Sequence, residues 1–269
     1  MNILYIGDVM GEAGVRTVEK LLPSLKHEER TDLVIAQSEN VTDGRGITPD
    51  DFNRLQAAGV DFCTGGNWSL YRDEIVPMMD DPDEPIIRPA NYPEGTPGLG
   101  HKFAETAAGN VLIISLLGHI VGKDADRPAD NPLHIIDRIL EEEKDTARVA
   151  TLVNLHGDFS SEKVVIGHYL DGRVTAVVGD HWHVPTADAQ VLPKGTAHIT
   201  DVGMCGSLDS SLGVKLEVII KRWQTGNPSR NELESTGRMQ FNALLVEADE
   251  KTGLAKSAKL IQRLLKPDF

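Results

Sequence analysis

Side chains that can bind metal ions or phosphate directly follow several short apolar segments of this sequence. These segments lead into Asp8, Glu39 with Asn40, Asn67, His156, and the run Gly-Asp-His-Trp-His at 179–183. In an open α/β sheet, ligand sites lie beyond the carboxyl ends of the strands, where loops carry no ladder hydrogen bonds. These side chains are therefore expected to converge on one site.

His181 and His183 are spaced for joint action. In extended backbone, residues two apart point to the same side of a strand, so both imidazoles can face one cavity. Taken alone, this pair indicates a metal only weakly. The other histidines that carry no such spacing are expected to be surface or satisfied core residues: His27, His134, His168 and His198.

Oxygen ligands enlarge the set. Asp8, Glu39 and Asn67 supply oxygens, and His156 supplies a further nitrogen. Such a mixed set exceeds what one tetrahedral zinc ion requires and suits two metal ions with a bridging carboxylate. A metal pair lowers the pKa of a bridging water, and it stabilises the attacking and leaving oxygens of an in-line displacement at phosphorus. For single residues the ordinary alternatives stay open, because aspartate after a strand often caps a helix and asparagine after glycine often forms a turn.

The elements that must position these residues follow an α/β pattern. Apolar segments rich in Val, Ile and Leu alternate with amphipathic ones, and 269 residues are near the upper limit for one core, so a single domain over 1–269 is expected. Helices are predicted over 14–26, from Thr48-Pro49 onward, and over 131–144. The predicted strands are 3–6, 33–36, 60–63, 111–117, 149–155, 174–178, 197–199 and 241–246.

The charge balance limits the partners. With 27 basic and 41 acidic side chains, the net charge is −14, which disfavours long nucleic acids and anionic membranes. A phosphorylated substrate then needs local neutralisation, for which a metal is suited, and it should be small. The longest apolar stretch, 111–117, is far short of the roughly 20 residues of a membrane helix, and no leader sequence is evident, so a cytoplasmic protein is expected. Cys63 and Cys205 give no disulfide framework.

Short loop motifs occur in order along nearly the whole chain: GDV at 7–9, SEN at 38–40, GRGIT at 44–48, GN at 66–67, RPANYP at 88–93, GTPG at 95–98, SEK at 161–163, HWHVPTAD at 181–188, ITDVGM at 199–204 and SSLG at 210–213. In this order they resemble the YmdB family, a branch of the calcineurin-like metallophosphoesterases.

This resemblance implies a fold, a cofactor and an activity. The fold is a four-layer α-β-β-α sandwich with mixed sheets, and the activity is hydrolysis of small phosphodiesters, with 2′,3′-cyclic nucleotides as the substrate class. The cofactor is a pair of divalent ions, with iron or manganese favoured and zinc compatible with the ligand types. Self-association is also implied.

The resemblance also assigns the ligands. Glu39 would bridge the two ions. Asp8 and His183 would complete one site, where Asn40 serves as an added ligand or a phosphate contact. The other ion would be held by Asn67, His156 and His181.

The sequence departs from the family pattern at the proton donor. The family has histidine directly after the asparagine at position 67, and here that position is Trp68. An indole N–H cannot be released at physiological pH, so Trp68 cannot act as a general acid. Deleting such a group costs about 10²- to 10⁴-fold in the chemical step, whereas metal binding should survive. His101 and His119 are two candidate replacements.

Further departures lie beside the ligands. Asp180 and Trp182 stand where the family has threonines, Gly157-Asp158 replaces alanine and glutamate, and His119 replaces an arginine. Trp68 and Trp182 would form an aromatic wall for a nucleobase, or they simply pack a remodelled loop.

Three functions are compatible with these residues. The first is a di-metal phosphodiesterase, and the second is a metal-binding regulatory protein whose catalysis is weakened by Trp68. A phosphomonoesterase is disfavoured because monoesters carry more charge and few basic residues lie near the ligands. The basic residues that could contribute are Arg45, Arg88 and Lys163.

Overall fold

A computed structural model describes residues 1–122 and 128–267 of the chain. Its helices are α1 (Gly11–Glu28), α2 (Pro49–Ala58), α3 (Val76–Asp80), α4 (Pro132–Glu142), α5 (Ser160–Tyr169) and α6 (Leu216–Thr225), with a 3₁₀ turn at Asp73–Ile75. Its strands are β1 (Asn2–Ile6), β2 (Asp8–Val9), β3 (Leu33–Gln37), β4 (Phe62–Thr64), β5 (His101–Thr106), β6 (Gly109–Leu117), β7 (Ala150–His156), β8 (Ala176–Asp180), β9 (Gln190–Val191), β10 (Ala197–Ile199), β11 (Met204–Ser207), β12 (Met239–Asp249) and β13 (Leu254–Leu265).

The strands form two mixed sheets. The first has the order β2-β11-β12-β1-β3-β4, with β13 paired to β12, and the second has the order β5-β6-β7-β8-β10-β9. Parallel pairing joins β1, β3 and β4 in the first sheet and β6, β7, β8 and β10 in the second. The antiparallel pairs include β1 with β12 and β5 with β6. The prediction of an α/β fold with mixed sheets is therefore confirmed.

Among the described residues, the core consists of three hydrophobic clusters. One contains residues of both sheets, such as Ile3 of β1 and Leu152 of β7. A second places α1 and α2 on the first sheet, and a third places α4 and α5 on the second. Successive β1 residues alternate between the first two clusters, as the period of a strand buried on both faces requires.

The predicted helices exist with small shifts at their ends. The second begins as its sequence indicates, because the Thr48 hydroxyl accepts a hydrogen bond from the Asp51 amide at 3.4 Å and Pro49 occupies the first turn. Sequence reasoning missed α3, α5, α6, β2, β5, β9, β11 and β13. The last strand is mostly half-buried or exposed and mixes polar with apolar residues, so it lacks the continuous apolar run that marked the buried strands. No helix in the described ranges has the length and apolarity to cross a membrane.

Candidate metal centre

The predicted site residues lie at the carboxyl ends of strands from both sheets, where parallel strands β1, β3 and β4 meet β7 and β8. Asp8 begins the short strand β2, and the others follow or end neighbouring strands: Glu39 and Asn40 after β3, Asn67 after β4, His156 at the end of β7, and His181 and His183 after β8. The structure brings this whole set together in two adjoining groups.

The first group is centred on His156. Its Nε2 lies 3.0 Å from Glu39 Oε1 and 3.0 Å from Asn67 Oδ1. Its ring lies against that of His181, with centroids 4.4 Å apart. Potential ligand atoms of Glu39, His156 and His181 all lie within 4.8 Å of one another. This spacing allows one cation to contact all three side chains.

The second group contains Asp8, Asn40 and His183. His183 Nε2 lies 3.2 Å from Asn40 Oδ1 and 3.9 Å from Asp8 Oδ1. The other oxygen of Asp8 accepts the His181 backbone N–H at 3.2 Å, which links the two groups. Asp8 Oδ1 is buried and has no hydrogen-bond partner among the described residues. Because an unpaired buried carboxylate oxygen is costly, a cation fits this position.

Glycine permits the close packing of the first group. A Cβ atom added to Gly66 would lie 2.2 Å from Glu39 Oε2 and 2.5 Å from the His156 ring. Two residues later, the backbone amide of Trp68 donates a hydrogen bond to the same Glu39 oxygen at 3.1 Å. The loop after β4 therefore touches the Glu39 carboxylate with backbone atoms, and any larger residue at position 66 would displace it.

His181 and His183 both reach the site, but they do so through a turn, so the extended backbone expected for them is wrong. Strand β8 ends at Asp180, and both histidines have left-handed backbone, with φ of 103° and 63°. Lys163 of α5 holds this turn, because its Nζ donates hydrogen bonds to the Asp180 carbonyl at 2.6 Å and to Asp201 Oδ2 at 2.8 Å. Asp201 Oδ2 also accepts the Trp182 amide at 2.9 Å. Such strain at non-glycine residues is typical of functional turns.

The electrostatics of the site favour added positive charge. Burial, together with the nearby Asp180 carboxylate, raises the pKa of Asp8 well above its usual value. Burial lowers the pKa of His183 to about 4, and the charge of His181 acts in the same direction. Burial alone would lower the pKa of His156, but the Glu39 and Asp180 carboxylates outweigh it and raise this pKa well above the usual value.

Two aspartates contact the predicted ligands, although sequence reasoning assigned neither of them to the ligand set. Asp180 Oδ1 lies 2.7 Å from His156 Nδ1, and Asp158 Oδ1 lies 3.4 Å from His181 Nε2. Each carboxylate thus faces one of the histidines. The signal was present, since each aspartate lies within two residues of a predicted ligand, Asp180 beside His181 and Asp158 after His156.

Each of the two tryptophans carries a cation on its ring. The Arg45 guanidinium lies 4.6 Å from the Trp68 ring centroid, and Lys163 Nζ lies 4.3 Å from that of Trp182. The Trp182 indole N–H donates to the Asp158 carbonyl at 3.0 Å. A nucleobase could therefore stack only on the ring face that the cation leaves open, and the aromatic wall stays a hypothesis.

The candidate proton donors differ in position. His119 is exposed and its Nδ1 lies 2.9 Å from Glu162 Oε1. Its backbone carbonyl accepts the Asp158 amide at 2.8 Å, which places the main chain of His119 beside the candidate metal centre. His101 instead begins β5 and has its Nε2 3.5 Å from Glu143 Oε1. His119 is therefore the better placed of the two.

The three basic residues expected to contribute to the site have different partners. Arg88 is buried and donates to the carbonyls of Pro97, Pro89 and Thr96, so it stabilises its own loop. Lys163 is committed to Asp201. Within the described part of the chain, the Arg45 guanidinium makes ring contacts only, with Trp68 and Tyr71, so its N–H donors can bind a ligand.

Comparison with solved structures first defines the fold. A putative 5′-nucleotidase from Staphylococcus aureus superposes with a TM-score of 0.63 at 16% identity, over 97% of this chain and 54% of its own. Closer matches are a hypothetical protein from Thermus thermophilus (TM-score 0.89, 37% identity, 99% and 100% covered) and a novel phosphatase from Mycoplasma pneumoniae (TM-score 0.91, 28% identity, 100% and 95% covered). The fold is thus one shared with nucleotidases and phosphatases.

The family follows from sequence. Residues 4–261 match the model of the YmdB-like protein family, and the chain belongs to that family, as its motifs predicted. It is 38% identical to the 2′,3′-cyclic-nucleotide 2′-phosphodiesterase of Bacillus subtilis, over 98% of this chain and 97% of that protein. A putative phosphatase/phosphodiesterase of Mycoplasma pneumoniae is 31% identical over 100% and 97%. The prediction that the chain is an enzyme is confirmed.

Proposed function

We propose that this chain is a di-metal phosphodiesterase that hydrolyses small phosphodiesters, with 2′,3′-cyclic nucleotides as the substrate class. The observation that carries the proposal is the clustering of ligand atoms of Glu39, His156 and His181 within 4.8 Å of one another, beside a second group that contains the buried, unpaired Asp8 Oδ1. The name of the Bacillus subtilis relative supports the substrate class. The chain would act as a single domain over 1–269, built as a four-layer α-β-β-α sandwich.

The two groups of side chains would hold one cation each. Glu39 would be shared, Asp8 and His183 with Asn40 would hold one ion, and the remaining ligands the other: Asn67, His156 and His181. Carboxylate and amide oxygens combined with imidazoles suit iron or manganese, and zinc is compatible with the same donors. When bound, such a pair supplies positive charge for the phosphoryl oxygens and activates the attacking water.

The remaining residues would orient the substrate. Asn40 Nδ2 donates to the Gly44 carbonyl at 3.1 Å, which turns its Oδ1 toward His183 and fixes the loop that carries Arg45. The Arg45 guanidinium would contact a non-bridging phosphoryl oxygen through its free N–H groups. A diester carries one negative charge, so a single arginine beside the metal pair is sufficient.

A second candidate function is favoured by Trp68. The family position of the proton donor presents only a backbone amide to Glu39, and the indole carries no transferable proton. A metal-binding regulatory protein with weakened catalysis would keep the ligands and lose the acid. His119, beside Asp158, is the residue that would restore proton transfer in the catalytic case.

Turnover on three substrates distinguishes these functions. Purified protein loaded with manganese or iron is assayed with bis-p-nitrophenyl phosphate, 2′,3′-cyclic AMP and p-nitrophenyl phosphate. The phosphodiesterase hydrolyses the two diesters faster than the monoester, and Glu39→Gln abolishes this activity whereas the exposed Glu142→Gln does not. A loaded protein that turns over none of them would be the regulatory candidate, and preference for the monoester would contradict the diesterase proposal.

A further inference from the structure

Asp180 joins the two sheets beneath the candidate metal centre. It ends β8 of the second sheet and is fully buried. Its Oδ2 accepts hydrogen bonds from three side chains on three other strands: Tyr5 Oη at 2.8 Å, Gln37 Nε2 at 3.0 Å and Asn154 Nδ2 at 2.6 Å. A carboxylate held by three donors cannot rotate, so the direction of its other oxygen is fixed.

That other oxygen faces His156. Asp180 Oδ1 lies 2.7 Å from His156 Nδ1, while Nε2 on the opposite edge of the ring faces Glu39 and Asn67, each at 3.0 Å. The ring is therefore fixed on both edges. A histidine that donates its Nδ1–H in a hydrogen bond to a carboxylate presents the unprotonated Nε2 to a metal, and the carboxylate makes that nitrogen a stronger ligand.

We infer that Asp180 is a positioning residue: its carboxylate holds His156 as the Nδ1–H tautomer and thereby presents Nε2 to the cation. The inference rests on the metal-binding part of the proposed function. The same carboxylate is linked indirectly to Glu39, since Gln37, which donates to Asp180, accepts the Glu39 amide at 3.3 Å through its own Oε1.

Zinc affinity and the state of the His156 ring test this role. Zinc is diamagnetic, so competition with a chelator gives the affinity and ¹⁵N NMR of histidine-labelled protein identifies the coordinated nitrogen. Asp180→Ala should weaken zinc binding by about 10- to 100-fold, and Asp180→Asn, which keeps an acceptor but loses the charge, should fall between it and the wild type. The matched control is Asp171→Asn, a buried aspartate that accepts the Lys194 amide at 3.0 Å outside the ligand set, and its affinity should not change.

Three results would overturn the inference: wild-type zinc affinity in Asp180→Ala, coordination of His156 through Nδ1, or an equal loss in the control. If the Asp180 variants fail to fold, Tyr5→Phe removes one donor to Asp180 without touching His156, and an unchanged affinity there overturns it as well. A wild type without zinc affinity would refute both this inference and the metal-dependent function. Intact affinity without phosphodiester turnover refutes only the proposed activity.

Discussion

At the scale of single residues, the position of Trp68 separates metal binding from proton transfer. Its backbone amide contacts the Glu39 carboxylate at 3.1 Å, while its side chain lies between Arg45 and Tyr71. The main chain at this position thus supports a ligand regardless of the side chain. Under the proposed function, the side chain determines only which chemical group faces the leaving oxygen of the substrate.

Trp68→His is therefore expected to raise kcat on 2′,3′-cyclic AMP, by up to about 10²-fold, because an imidazole can protonate the leaving oxygen. Trp68→Phe is the matched control and should bring no such gain. Steady-state kinetics over a pH range measures both, and the new histidine should add a basic limb to the profile. An unchanged kcat in Trp68→His would show that another group already supplies the proton.

Arg45 is expected to act on substrate binding. Arg45→Ala should raise KM for a diester by about tenfold, the value of one charge-assisted hydrogen bond, with a smaller change in kcat. The comparison is Arg263→Ala, a surface arginine paired with Glu28, which should leave both parameters unchanged. Equal KM values in the two variants would remove Arg45 from the substrate site.

At the scale of elements, the turn after β8 depends on a buried ion pair. Lys163 of α5 is 1% exposed and pairs with Asp201 at 2.8 Å, and both bind backbone groups of the segment that carries His181 and His183. The left-handed residues of this turn cost free energy, and these contacts offset it. A helix and a loop far apart in sequence thus hold the two histidines in place.

Lys163→Met should lower the free energy of unfolding by about 3–5 kcal/mol, because it leaves the Asp201 carboxylate buried and unpaired. The double variant Lys163→Met/Asp201→Asn should recover part of this loss. Urea unfolding measures both, with Lys215→Met as the control, since that lysine pairs with Glu232 at the surface. A loss no larger than that of the control would show that the turn does not depend on the ion pair.

The turn after β8 shows which parts of the candidate site could be predicted from the sequence and which could not. The ends of buried strands predicted the places of Asp8, Glu39, Asn67 and His156, because apolar runs mark strands and parallel strands end at one edge. The backbone conformation of His181 could not be predicted from the sequence, since its left-handed φ depends on contacts with side chains distant in sequence.

The role of Asp180 was equally hidden from the sequence. Its partners come from β1, β3 and β7, and only the packing of one sheet on the other brings those strands together. Local pattern identifies which residues can bind a metal, whereas tertiary contacts decide which residues orient them.

At the scale of the whole molecule, the net charge of −14 has a buried component. Asp8, Glu39 and Asp180 are each at most 1% exposed and lie in one region between the sheets. Burial disfavours the charged form of such groups, as the raised pKa of Asp8 indicates, and a bound cation would balance their negative charge. The folded chain is therefore expected to be a much better cation ligand than the unfolded one.

Saturating manganese should raise the stability of the protein, by about 2.7 kcal/mol at a concentration 100 times the Kd. The melting temperature measured with manganese, and again after chelation, tests this expectation. Asp8→Asn should lose most of the shift, whereas Asp209→Asn, at a surface pair with Arg238, should retain it. A melting temperature that does not respond to manganese would contradict a metal site in the folded protein.

The central claim is that this set of ligands holds two cations and that the proposed phosphodiester hydrolysis depends on them. The rate of turnover should therefore rise and fall with the metal content of the protein. Metal-free protein titrated with manganese, with metal content and 2′,3′-cyclic AMP turnover measured on the same samples, tests this dependence most directly. We predict that turnover appears as the content approaches two ions per chain and disappears on chelation. Fully loaded protein without turnover, or turnover that persists in metal-free protein, would contradict the di-metal mechanism.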